Sequence, residues 1–177
     1  MKYVALLRGI NVGGNRKVDM KQLKSVFEEV GMQNVITYIN SGNIIFESDI
    51  NSPVTIAGKL EAAIEQTFGF FVKVLVRDKK NILAIATALP DEWVNDTTMK
   101  CDVMFLWEKV AKKDVMSGLN IKPDIEDVKY VEGTILWRVD KENVTKSGIL
   151  KLIGTDLYAH MTIRNCNTLR KLVVLMS

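Results

Sequence analysis

Hydrophobic and polar positions alternate along the chain in a way that predicts its elements one after another. Tyr3 to Leu7 is a continuous apolar run ended by Arg8-Gly9, the signature of a strand buried on both faces. Asp19 then opens a helix, with Gln22 at capping-box spacing and Val18 and Leu23 placed as a hydrophobic staple. Met20, Leu23, Val26, Phe27 and Val30 form its apolar stripe, and Gly31 supplies the left-handed stop. Val35 to Asn40 and Ile44 to Ser48 are β-branched and aromatic runs about Ser41-Gly42, which predicts a hairpin. Ser52-Pro53 starts a second helix that turns Ile56, Ala57, Leu60, Ile64 and Phe68 inward and stops at Gly69. Phe71 to Val76 is the next strand. The order β-α-β-β-α-β is that of the ferredoxin-like, split βαβ unit.

The second half repeats this order in weaker form. Asp78 caps a helix through Ile82, Ile85 and Leu89 that closes at Pro90, and residues 91–100 look like a linker. A strand over Val103 to Trp107 follows, with a short helix near Lys112 to Met116. Strands Val128 to Val131 and Ile135 to Val139 flank Glu132-Gly133, and a helix is expected near Ser147 to Ile153. A last helix carries Leu169, Leu172, Val173 and Met176. The fold class expected is α+β: a ferredoxin-like unit over residues 1–90, then a degenerate second α+β unit over 101–177 whose sixth element is missing or shortened.

Composition narrows the class without naming a function. The chain is 47% hydrophobic and 25% charged, ordinary usage for a globular protein. Its formal charge of +3 does not imply nucleic acid, which normally shows as a concentrated basic face. Cys101 and Cys166 lie 65 residues apart with no CxxC pair, the usage of reduced thiols rather than of a disulfide framework. The apolar stretch at the start is too short for a signal-peptide core, and no run approaches a membrane span. A cytoplasmic protein with neither disulfide nor structural zinc is expected.

Candidate chemistry gathers in two polar loops. A right-handed crossover makes the first two strands parallel, so Arg8 to Lys17 and Asn40 to Asn43 should emerge at one edge of the sheet. Arg8, Gly9, Asn11, Gly13, Gly14 and Asn15 on the first loop, with Ser41, Gly42 and Asn43 on the second, can present consecutive backbone N–H groups to an anion. Arg16 and Lys17 add charge. Glycine and asparagine are also what turns require, so the loops serve equally as plain scaffolding. Neither nucleotide fingerprint is present: Asn15-Arg16 stands where a P-loop needs Lys and then Ser or Thr, and GxGxxG is absent.

A second candidate is Arg164-Asn165. Asn165 can cap the last helix, whose free N–H groups attract anions, with Arg170 and Lys171 one turn on. The plain alternative is a cap and a surface ion pair. His160 is the only histidine, and Cys166 at a helix start could pair with it as a nucleophile. Asp91-Glu92 and Glu126-Asp127 read as solvated turns, and Trp93, Trp107 and Trp137 as core or boundary residues. No RNA-recognition pattern is visible.

The segments Ala5-Leu6-Leu7-Arg8-Gly9-Ile10-Asn11-Val12-Gly13-Gly14-Asn15, Tyr38-Ile39-Asn40-Ser41-Gly42-Asn43 and Thr162-Ile163-Arg164-Asn165-Cys166-Asn167-Thr168 resemble those of the bacterial family called domain of unknown function 1697. The resemblance spans nearly the whole chain. It implies a small bacterial cytoplasmic protein of ferredoxin-like α+β architecture with no established activity. In that family a tryptophan usually stands where this chain has Cys166, and Thr-Thr-Arg-Asn where it has Thr162-Ile163-Arg164-Asn165, which argues against Cys166 as a family nucleophile. Three readings stay open. The loops bind a small phosphorylated or nucleotide-like anion, they serve an enzyme whose reaction and cofactor the sequence does not name, or they shape an interaction surface such as a homodimer contact.

Overall fold

The computed structural model describes residues 1–177 and is a mixed α+β protein with two four-stranded antiparallel sheets. By its internal contacts the chain divides into two compact units, Met1–Ile82 with Val174–Ser177, and Leu83–Val173.

In the first unit the strands are β1 (Lys2–Leu7), β2 (Gln33–Tyr38), β3 (Asn43–Glu47) and β4 (Val74–Asp78), in the order β2-β3-β1-β4. Strand β1 is therefore interior, as its unbroken apolar run requires: Val4, Ala5, Leu6 and Leu7 are fully buried. Helix α1 (Met20–Glu29) starts at Asp19, whose carboxylate accepts the Gln22 amide at 2.9 Å, and Leu23, Val26 and Phe27 enter the core. Helix α2 (Pro53–Phe68) is capped by Ser52 and stopped by Gly69 at φ +80°, and buries Ile56, Leu60 and Ile64. Each of those side chains contributes roughly 1.5–3 kcal/mol on leaving water. Phe46 joins both layers, stacked on Tyr3 and edge-on to Phe27.

Strand β4 begins at Val74, not at Phe71. Its only neighbour, β1, ends at Leu7 opposite Val74, so the preceding residues have no ladder to join, and Phe71 is half exposed.

The second unit has strands β5 (Met99–Leu106), β6 (Glu126–Val131), β7 (Thr134–Asp140) and β8 (Met161–Asn165), in the order β6-β7-β5-β8. Helix α3 (Lys79–Ala88) runs from one unit into the other, and α5 (Cys166–Leu175) ends where the second unit gives way to the first. Strand β5 is longer than the apolar run suggests because β7 extends to pair Asp140 with Met99. Strand β8 corrects the expectation of a missing sixth element. It is an edge strand of alternating polarity that leads directly into the last helix. The helices expected near Lys112 to Met116 and Ser147 to Ile153 are 3-10 turns, Lys113–Gly118 and Gly148–Leu152, the second followed by the one-turn helix α4 (Asp156–Ala159).

The registers of the two sheets run in step. Leu6 opposes Asn43 and Phe105 opposes Thr134; Val4 opposes Arg77 and Val103 opposes Arg164. At the strand ends, the Leu7 amide donates to the Gly42 carbonyl at 2.9 Å and the Arg8 amide to the Lys73 carbonyl at 3.0 Å. Leu106 donates likewise to Gly133 and Trp107 to His160, each at 3.0 Å. Asp78 caps α3 through the Asn81 amide, and Asn165 caps α5 through the Thr168 amide.

Candidate functional site

The loop after β1 is a series of left-handed residues: Gly9, Asn11, Gly13, Gly14 and Arg16 all have positive φ. Asn11 fastens it. Its Nδ2 donates to the Val18 and Asn40 carbonyls at 3.0 and 2.9 Å, and its Oδ1 accepts the Val18 amide at 2.8 Å. One side chain thus joins the two loops at a single edge, where the parallel first and second strands lead them.

The hairpin side is built just as tightly. Asn43 is fully buried and donates to the Tyr38 carbonyl and the Ser41 hydroxyl. Gly42, at φ +82°, lies so close to β1 that a Cβ there would stand 2.8 Å from Leu7 Cβ. Arg16 donates to the Phe71 carbonyl and stacks over Phe70 at 5.4 Å. Polar groups of Asn11, Arg16 and Asn43 are therefore engaged in holding the loops together.

Gly13 and Gly14 differ. Among the described residues their amides donate to no acceptor in the chain, and a Cβ on either would meet nothing within 4 Å. Beside them opens a broad cleft of about 630 Å³ lined by Asn11, Gly14, Lys17, Val18, Asp19, Met20, Lys21 and Asn40. Its cations are Lys17, expected from the loop, and Lys21, which lies on the first turn of α1 and belongs to no sequence motif. Arg8, Gly9 and Asn15 belong to the same loop, whose pinch is the Asn15 amide on the Val12 carbonyl at 3.1 Å.

Arg164 and Asn165 lie in the second unit. Arg164 is 7% exposed, so it is no surface ion-pair residue; its guanidinium donates to the Thr162 hydroxyl and the Ile163 carbonyl, and burial pushes its pKa down to about 10. Arg170 is likewise an internal clamp, donating to the Pro90 and Trp93 carbonyls at 3.1 and 2.8 Å. The pairing of Cys166 with His160 does not form: His160 Nδ1 lies 2.8 Å from the Asp156 carbonyl, and Cys166 faces Cys101, Trp93 and Arg170.

Glu126 overturns its reading as a solvated turn. It is 2% exposed and accepts from the Lys122 and Gly148 amides, the Trp137 indole and the Ser147 hydroxyl. Burial alone would raise its pKa, but these donors outweigh it and hold the carboxyl below its usual range. Trp137 and Trp93 are buried, and Lys129 lies over the Trp93 ring. No group of three His, Cys, Asp or Glu that could hold a metal assembles among the described residues, and no helix is long and apolar enough to cross a membrane.

Residues 1–137 match the family described as "Protein of unknown function (DUF1697)". The chain belongs to that family. A solved structure described as that of the conserved bacterial protein SP0830 from Streptococcus pneumoniae is similar over 99% of this chain and 98% of that one, at 30% identity and a TM-score of 0.84. The comparison with curated proteins found no match. Both sheets of this DUF1697 chain thus have a solved counterpart, and neither description assigns chemistry to the loops.

Proposed function

We propose that the protein binds a small phosphorylated or nucleotide-like anion in the cleft beside Gly13 and Gly14, on a scaffold of two ferredoxin-like units of which the second is a degenerate copy. The matched strand orders and registers support the scaffold reading. They also separate what the fold needs from what it does not. The second unit makes the same strand-end junction, Leu106 to Gly133 and Trp107 to His160, with no glycine between Trp107 and Lys112. Gly42 is therefore part of the junction, whereas Gly13-Gly14 is an addition to it.

The observation that carries the proposal is the pair of adjacent amides on Gly13 and Gly14 without acceptors in the chain, Gly14 lining a cleft that Lys17 and Lys21 also line. Consecutive N–H donors and two ammonium groups suit an anion of several oxygens, and the amides cost no reorganisation because the turn already holds them. Asn11 and Asn40 line the same cleft, where the sugar hydroxyls of such a ligand would lie. Arg8 is a third cation at the root of the loop.

Calorimetric titration with inorganic phosphate, sugar phosphates and nucleotides tests this on the full chain. Lys17 is exposed, so Lys17→Ala should leave folding intact and weaken the bound phosphate compound about 10–100-fold, the value of one hydrogen bond to a charged group. Failure of every phosphate compound to bind the wild type would refute the proposal and favour loops that only shape a surface.

A further inference from the structure

We infer that Cys166 and Cys101 form a thiol-oxidation site for a hydroperoxide, in which Cys166 attacks the peroxide and Cys101 resolves it to an intramolecular disulfide. The sequence separates these cysteines by 65 residues, but the sheet brings them together. Asp102 on β5 opposes Asn165 on β8 in the last pair of that antiparallel ladder, and Cys101 and Cys166 are the residues next to it on the two segments. Directly opposed antiparallel positions are about 4.5–5.5 Å apart at Cα, within the range a disulfide spans. Both residues are free thiols and fully buried, and the two thiols influence each other's titration.

The two sulfurs are in different environments. Cys166 opens the ten-residue helix α5, where unpaired backbone donors favour a thiolate, and Arg170 one turn on donates to its sulfur at 3.6 Å. The hydrogen bond from Cys101 and the charge of Arg170 hold the Cys166 thiol below its ordinary range despite burial. Cys101 has the opposite bias: giving that hydrogen bond, and burial, push it up. The Arg170 guanidinium at 3.6 Å from its sulfur thus marks Cys166 as the attacking residue of the two. Asn95 and Asn167 are the polar neighbours of the pair. Asn95 accepts the Cys101 amide at 3.2 Å and the Asn167 side-chain amide at 2.9 Å, and Asn167 is exposed. Asn167 Oδ1 lies 3.8 Å from the Cys166 sulfur, so this exposed side chain is a neighbour of that sulfur on the solvent side.

In the reaction the Cys166 thiolate attacks one peroxide oxygen and the O–O bond breaks, giving Cys166 sulfenic acid and a hydroxide that takes up a proton. Cys101 sulfur then displaces hydroxide from the Cys166 sulfur, and the Cys101 proton completes a second water. Two thiols and one hydrogen peroxide yield one disulfide and two waters, with two electrons passing from sulfur to peroxide.

The test treats the native full chain with hydrogen peroxide, quenches it, and reads intact mass and a non-reducing peptide map. A monomer lighter by two hydrogens, with the Cys101 and Cys166 peptides linked and separated again by dithiothreitol, is expected. In Cys101→Ser, dimedone should label Cys166; in Cys166→Ser, Cys101 should stay unlabelled over the same exposure. Asn167→Ala should speed formation of the link several-fold. A native wild type that forms no link, or that forms it only after unfolding, overturns the inference, as does labelling of Cys101 in Cys166→Ser as fast as that of Cys166.

Discussion

Replacing Glu126 by Gln keeps the size of the side chain and removes its charge, and the structure says what that should cost. One carboxylate oxygen accepts the Lys122 and Gly148 amides, both at 2.9 Å; the other accepts the Trp137 indole at 2.7 Å and the Ser147 hydroxyl. A glutamine has a single oxygen, so its NH2 must face two donors on one side. Ser147 can rotate to accept, but the Trp137 indole is then left without an acceptor in a buried site. That unpaired donor costs about 1–3 kcal/mol, and loss of charge from the remaining bonds brings the total to roughly 2–4 kcal/mol. The pH dependence follows from the lowered pKa. In the unfolded chain the group titrates near ~4.3. The charged-state stabilisation is therefore complete above that pH and is lost as pH falls through the lower folded value. Urea unfolding followed by tryptophan fluorescence should show Glu126→Gln less stable at pH 7, with the gap to wild type narrowing in acid. A variant within about 0.5 kcal/mol of wild type at pH 7, the usual range for surface changes, would refute the reasoning. So would a gap that stays constant through the acid range.

Two further substitutions test packing. Gly148→Ala drives a Cβ into the Asn120 carbonyl oxygen, so backbone must move; the expected loss is at least about 1–3 kcal/mol, read as a lower urea midpoint, and an unchanged midpoint would contradict the contact. Thr134→Val removes a fully buried hydroxyl that has no hydrogen-bond partner, so stability should rise by up to about 1 kcal/mol with no change in urea slope, and a clear loss would mean the hydroxyl is bonded.

Helices and strands with strong local signals were legible in the chain. Asp19 with Gln22, and Ser52-Pro53 with Gly69, fix the ends of α1 and α2 because caps and left-handed stops are properties of a few adjacent residues. The apolar run of Tyr3 to Leu7 places β1 inside the sheet for the same local reason. Elements with weak local signals were misread: β8 alternates polarity at a sheet edge, and the stretch after β7 coils into 3-10 turns around Glu126, whose donors come from Lys122, Trp137, Ser147 and Gly148. Nothing in a one-dimensional pattern distinguishes an acid exposed in a turn from one surrounded by four donors.

The sequence by itself determined the two α+β halves, the capped helices, the interior first strand and the two polar loops that share an edge. Only the tertiary structure decided which loop residues hold the fold and which are left over. Gly42 and Asn11 are fixed by contacts with residues distant in sequence, Asn43 closes its own hairpin, and Gly13 and Gly14 keep their amides unspent. It also set Cys101 against Cys166, since strand register can place residues far apart in sequence side by side. Backbone conformation answers to neighbouring residues, so it can be read locally; burial and partnership depend on which distant segments pack together.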